Sequence, residues 1–158
     1  MGKKTGKNPT DRGKLGVKRS VVIDGRGVPL GAAVEGANVH DQKLVAATLD
    51  NIPVARPKPT PRKPQHLCLD KGYTGEPVEE QARRRSYQIH VPIKGAAKPS
   101  KKKRHSGQAR RWKVERTHSW INRARRLLIR WEKKVANYLG FLHLQFAIVA
   151  LRTAGVLG

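Results

Sequence analysis

The chain of 158 residues has one cysteine, one methionine and only 11 aspartates and glutamates. With Cys68 alone, no disulfide framework can form within the chain, and no CxxC or paired Cys/His spacing suggests zinc. This cysteine usage fits a reducing cytoplasm. Aromatics make up 5%, and long apolar runs are scarce. The most apolar stretch, residues 138–151, is interrupted by His143 and Gln145. It is shorter than the roughly 20 residues a bilayer span requires, so it reads as a buried helix. The N-terminal "MGKKTGKNPTDRGK" has no apolar region after it and is not a signal peptide.

Against the few acids stand 34 lysines and arginines, giving a formal charge of +23 and a pI near 11.2. Clustered cations gain affinity by releasing the counterions condensed on a nucleic-acid backbone, so a polyanion partner is implied. No basic amphipathic helix stands alone, which favours nucleic acid over a membrane. Charge names the partner and not the activity, and would suit a ribosomal-type protein equally. The length is that of one domain with a modest core.

Residues 1–17 carry Gly and Lys without apolar periodicity and read as a basic loop or disordered arm. "KRSVVID", "DGRG" and "VPLGAAVEG" predict a β-hairpin over 18–36, with Asp24 in a structural role at the turn. "VHDQKLVAATLDNI" predicts a helix with Leu44, Val45, Thr48 and Leu49 on one face and Asp41 at its start. Five prolines in residues 53–65, interleaved with Arg56, Lys58, Arg62 and Lys63, predict an extended linker. "HLCLD" (66–70) reads as a strand covered on both faces, with Cys68 a core residue. Residues 74–85 follow as a helix with Pro77 near its first turn, and 87–93 as a second strand, parallel to the first through a crossover. Residues 94–107 read as a cationic loop. Helix is expected from about Gln108 to Lys133, with Val114, Thr117, Ile121, Ala124, Leu128 and Trp131 as its stripe. A last helix over about 135–154, apolar nearly all round, should pack beneath the sheet. The expected fold class is α/β.

Two acids stand out. Asp70 ends a parallel strand, and ligands of open α/β sheets gather at such carboxyl ends. Beside Lys71 and Gly72, its carboxylate is placed to hold a divalent cation, although an aspartate there can equally bond turn amides. Glu115 is the only acid between Arg110 and Arg130. It is either an ion-pair partner for Arg111 one turn earlier or a metal ligand facing the sheet while its neighbours track phosphates.

Over essentially its whole length the chain resembles the DDE transposases of bacterial insertion sequences, of the type-four and type-five groups. The segments carrying the resemblance are "PTDRGKLGVKRSVVIDGRGVPLGAAVEGANVHD", "LDKGYTG" and "RWKVERTHSWINRARRLLIRWE". The resemblance implies a ribonuclease H-like mixed sheet flanked by helices, with Asp70 as second catalytic acid, Glu115 as third and Arg111 in the arginine position of that motif. Gly72 and Tyr73 belong to the Asp70 motif as supporting residues. It also implies Mg²⁺ or Mn²⁺ as cofactor, DNA (element ends and target) as partner, no membrane, and a bacterial cytoplasmic, nucleoid-associated setting. A homodimer is compatible with it. Arg116, Arg123, Arg125, Arg126, Arg130 and Lys71, with Arg111, are the expected phosphate contacts.

The pattern departs from the family in three ways. Gln108 stands where a tyrosine is usual, and the basic residue after the glutamate falls at Arg123, one position late. The third departure is larger: the strand with the family's first catalytic aspartate would lie before "PTDRG", and neither Asp11 nor Asp24 matches it. Residues 18–158 therefore read as a partial catalytic domain without its first central strand, inactive alone, from a truncated or frameshift-split gene. An upstream reading-frame product would supply the missing aspartate. Asp41 and Glu132 read as structural or positioning acids, and no histidine is assigned a catalytic role. The rival classes are a non-catalytic basic nucleic-acid-binding protein and an inactive transposase relic.

Overall fold

A computed structural model describes the backbone of residues 4–92 and 104–157, and the side chains of these except 104–111. Its strands are β1 (Gly6–Lys7), β2 (Leu15–Ile23), β3 (Pro29–Gly36), β4 (Gln65–Cys68) and β5 (Tyr87–His90). Its helices are α1 (Val45–Asp50), α2 (Glu76–Arg84), α3 (Arg104–Asn122), α4 (Arg125–Leu128) and α5 (Val135–Thr153), with 3-10 turns at Asp41–Leu44 and Lys71–Tyr73. The architecture is mixed α/β.

The hairpin forms as the turn chemistry predicts. β2 and β3 pair antiparallel from Val17↔Gly36 to Ile23↔Pro29, with an irregularity at Val22/Ile23. Asp24 Oδ1 accepts the amides of Arg26 and Val28, each at 2.8 Å, so its role is structural. Gly27 has φ 93°, a conformation costly for a side chain, and a Cβ there would stand 2.9 Å from the Arg116 guanidinium. Within the expected arm, Gly6 and Lys7 pair with Gly16 and Leu15 at the start of β2, so residues 6–16 close into a strand pair.

β3 is covered on both faces because its residues are small. Ala32 and Val34 face a cluster with Ile121, Leu127, Tyr138, Leu142 and Phe146. On its other side α1 packs against it, and Asn51 Nδ2 donates to the Ala32 carbonyl at 3.0 Å. Leu44, Val45, Thr48 and Leu49 are buried as expected. Val45 and Leu49 join Leu67, Val78 and Ala82 in a second cluster, against which Val22, Leu69, Tyr73 and Ile89 pack.

β4 and β5 are parallel, in register from Gln65↔Tyr87 to Cys68↔His90, with α2 as the crossover. This two-stranded sheet is separate from β1-β2-β3. The expectation that β4 is covered on both faces fails. Leu67 is buried, but His66 and Cys68 are exposed, so Cys68 is not a core residue. Alternation puts one face of so short a sheet on α1 and α2 and leaves the other to water.

The helix expected over 108–133 is interrupted. Of its stripe, Thr117 and Ile121 are buried, but Leu127 replaces Leu128, and Leu128 and Trp131 are 57% and 73% exposed. The chain turns at Ala124, whose ψ is 102°, and tertiary bonds hold both sides of that turn: Arg19 Nη2 donates to Asn122 Oδ1 at 2.6 Å, while Arg19 Nη1 and the Tyr138 hydroxyl both donate to the Leu127 carbonyl, at 3.1 and 3.0 Å. Residues 94–103 of the expected cationic loop lie outside the described residues, and 104–107 belong to α3.

α5 is 19 residues long, and by length and composition alone it is apolar enough to cross a membrane. The argument from a short run therefore does not hold. What places it is packing: Tyr138, Leu142, Phe146 and Val149 are buried on one stripe. Its other side, with Leu144 at 59% exposure, faces outward, so it is not buried all round. We expect Leu142→Ala to cost about 2–5 kcal/mol in denaturant unfolding, and Leu144→Ala to stay within about 0.5 kcal/mol. Equal losses would contradict the single-stripe packing.

Candidate active site and DNA interface

Asp70 follows β4 directly. The Leu69 amide still donates to the His90 carbonyl at 3.0 Å, after which Asp70 opens the Lys71–Tyr73 turn, with the Tyr73 amide donating to its carbonyl at 3.0 Å. Its carboxylate is exposed and makes no capping bond to that turn. The simplest structural role for an aspartate here, bonding the turn's own amides, is therefore unused.

The turn is held from outside. Gln42 Nε2 donates to the carbonyls of Gly72 and Thr74, at 2.8 and 3.0 Å. Gly72 contributes through that carbonyl; a Cβ there would meet nothing, so the structure does not require glycine. Gly75, at φ 132°, is the glycine that the backbone demands, since it turns the chain into α2. Tyr73 packs on the second cluster, and burial, then the nearby Asp41 and Asp70 carboxylates, push its hydroxyl up to about 12. Asp41 is in the first turn after the N-cap His40, and its Oδ1 lies 3.2 Å from Lys18 Nζ. Asp41 and Asp70 thus both act on one tyrosine, an effect with no signature in the sequence.

Glu115 is exposed on α3, between two residues that grip the hairpin turn. Lys113 Nζ donates to the Gly25 carbonyl, and Arg116 Nη2 to the Arg26 carbonyl at 2.7 Å. The Thr117 hydroxyl stands 2.7 Å from the Gly27 carbonyl and 2.9 Å from that of Lys113. The position of α3 is thereby fixed by the hairpin. Among the described residues no three His, Cys, Asp or Glu side chains come together in a group able to hold a metal ion. Asp70 and Glu115 belong to no such group among these residues.

The expected phosphate contacts divide. Lys71, Arg123 and Arg125 are exposed and make no ion pair among the described residues. Arg116 lies between the rings of Trp112 and Trp120, at 4.4 and 4.6 Å, besides bonding Arg26. Arg130 donates to the carbonyls of Glu132 and Lys133, at 2.8 and 3.2 Å. Arg126 lies over Phe141, with Nε 3.0 Å from Glu132 Oε1. These three heads serve the fold in this arrangement. The Glu132 side chain is 5% exposed and makes no aligned hydrogen bond, so Arg126 is its charge partner. The side chains of Gln108 and Arg111 lie outside the described residues.

Sequence reasoning missed Gln42, Arg19 and the influence of the Asp41 charge on Tyr73, all of which act across segments distant in the chain. Removing the Gln42 amide with Gln42→Ala should cost about 1 kcal/mol and speed amide hydrogen exchange at residues 72–75; unchanged exchange would show that the bonds do not hold the turn. Tyr73 also gives a pH dependence. Its folded value is raised above the unfolded 10, so its contribution to stability is complete below pH 10 and is lost as pH rises from about 10 to 12. Denaturant midpoints should fall more steeply across that window for the parent than for Tyr73→Phe, and parallel curves would refute this.

A family model described as the transposase DDE domain matches residues 1–150. Across 153 residues the chain is 35% identical to a protein of Burkholderia cepacia described as a transposase for insertion sequence element IS402, covering 95% of this chain and 70% of that one. No solved structure matches. With Asp70 and Glu115 on the motifs that first suggested the resemblance, and a family match spanning nearly the whole chain, this protein belongs to the DDE transposases of bacterial insertion sequences.

Proposed function

We propose that the chain takes part in divalent-metal-dependent cleavage and strand transfer of DNA at the ends of its insertion sequence, in the bacterial cytoplasm. Asp70 and Glu115 are the metal-binding acids. A third carboxylate arrives on a strand, from outside the described residues, that completes a ribonuclease H-like sheet. The observation that carries this reading is a pair of open strand edges. From Val17 to Ile23 one edge of β2 has no partner among the described residues, nor has one edge of β4. Yet Val22 of β2 packs on the same cluster as Leu67 and Leu69. A strand between them would satisfy both rows of backbone groups.

The donor set suits the metal in kind, because carboxylate oxygens are the hard ligands that Mg²⁺ or Mn²⁺ takes. It falls one carboxylate short among the described residues. When bound, the metal would activate the attacking oxygen and stabilise the leaving one in an in-line displacement. The chain's own part is positional. β4 and the Gln42 bonds hold Asp70 at the strand end, and the grip of α3 on the hairpin holds Glu115. Lys71, Arg123 and Arg125 are exposed cations within ten residues of these acids in sequence, suited to neutralising phosphate.

The test is a Mg²⁺-dependent cleavage assay on the element's ends. The purified chain alone should cleave poorly, and adding the upstream segment should restore activity. Asp70→Asn or Glu115→Gln should then lower the rate by at least about a hundredfold while leaving DNA affinity within about twofold. Robust cleavage by the chain alone would sink the missing-strand reading, and full activity in both variants would show that Asp70 and Glu115 are not the metal-binding acids.

A further inference from the structure

The segment between α1 and β4, expected to be only a linker, is closed into a loop by bonds at its base. Arg56 Nη1 donates to Gln65 Oε1 at 2.8 Å, and Gln65 Nε2 donates back across the base to the Pro57 carbonyl at 2.7 Å. Arg56 Nη2 also donates to the Arg85 carbonyl at 2.9 Å, and its guanidinium lies over Tyr87, 4.1 Å from the ring centre. Arg85 is itself fixed by Asp50, with both of its contacts at 2.6 Å, and this pairing holds the Asp50 carboxyl below its usual range. At the tip, the Lys63 amide donates to the Thr60 carbonyl and hydroxyl at 3.0 and 3.1 Å, and the Thr60 amide donates to the Lys63 carbonyl at 3.3 Å. Pro57, Pro59, Pro61 and Pro64 fix φ along the rest.

What this loop presents is charge of one sign. Lys58, Arg62 and Lys63 are exposed and make no ion pair among the described residues. Residues 53–65 contain no acid, and the closest acid on the supporting side, Asp50, is occupied by Arg85. A flexible lysine pays entropy when it meets a phosphate, whereas a proline-stiffened, bonded loop has met part of that cost on folding.

We propose that residues 57–64 form a preformed contact for the phosphate backbone of duplex DNA, with Lys58, Arg62 and Lys63 as the phosphate ligands. The loop enters β4 at Gln65, and Asp70 leaves it at the other end. Five residues at about 3.3 Å each put the loop about 16 Å from Asp70. The contact therefore falls on DNA flanking the reacting phosphate, about five base pairs away at 3.4 Å per step. It carries no sequence information, because phosphates are the same everywhere. Only this distance from the reacting phosphate rests on the Asp70 assignment; the phosphate contact itself draws on the DNA-binding character of the family, so it stands or falls separately from the metal reading.

The experiment measures binding of the full chain to two unrelated duplexes between about 50 and 200 mM salt. In a Lys58→Gln, Arg62→Gln, Lys63→Gln variant, the slope of log K against log salt should flatten by about 2 to 3, since each lost phosphate contact removes about 0.9. The flattening should be equal on both duplexes, with the melting temperature unchanged. A control variant, Arg12→Gln, Arg83→Gln, Arg152→Gln, removes three exposed cations elsewhere and should change the slope by less than about 1. An unchanged slope in the loop variant, or the same flattening in both, overturns the proposal. Arg56→Ala keeps the three cations and loosens the base; it should bind roughly threefold to tenfold more weakly, and parental affinity would overturn the claim that the loop is preformed.

Discussion

The structure depends on a strand made of small residues. β3 carries Ala32 and Ala33 at its middle, 1% and 5% exposed, where most strands of a small domain carry bulk on one face and polarity on the other. Because so little side chain stands off the sheet, helices can approach both faces, and each brings the volume that the strand lacks. α5 supplies Tyr138, Leu142 and Phe146 from one side, while α1 comes close enough from the other to bond the strand's own carbonyl. Both hydrophobic clusters meet at this hairpin, so it relates the acid on β4 to the acid on α3.

Scarce carboxylates sharpen the arrangement. In a chain with 11 acids and 34 basic side chains, most carboxylates are drawn into ion pairs with the scaffold. Glu35 lies 2.6 Å from Lys4, Asp50 is gripped by Arg85, Glu80 by Arg84, and Glu132 is buried against Arg126. The exposed pairs among these contribute little stability individually. Their effect is to fix which cations stay available, and Lys71, Arg123 and Arg125 and the cations of the proline-rich loop are among those left unpaired within the described residues. An acid spent on the fold occupies one cation, and the placement of the few acids shapes the basic surface that remains.

Much of this was legible in the sequence wherever the cause is local. The Asp-Gly turn, the face of α1, the parallel β4–α2–β5 crossover and the position of Asp70 at a strand end all follow from spacing and turn chemistry. Where the cause is an interaction across the chain, sequence spacing misled. The stripe predicted past Ile121 continues the period of α3, but the chain turns at Ala124, and Arg19, more than a hundred residues earlier, binds on both sides of that turn. Cys68 reads as core by composition, yet the two-stranded sheet leaves its face uncovered. Gln42, an ordinary polar residue near a helix start, could not be singled out, since its partners are two backbone carbonyls thirty residues away.

The three tryptophans have settled into unlike surroundings. Trp112 and Trp120 lie on either side of the Arg116 guanidinium, which itself bonds the hairpin turn, while Trp131 is 73% exposed among the uncovered Leu128 and Ile129. The molecule thus carries two built-in optical probes. Emission from the first pair follows the grip of α3 on the hairpin, and emission from Trp131, in water, moves to the blue only when something apolar covers the segment between α4 and α5.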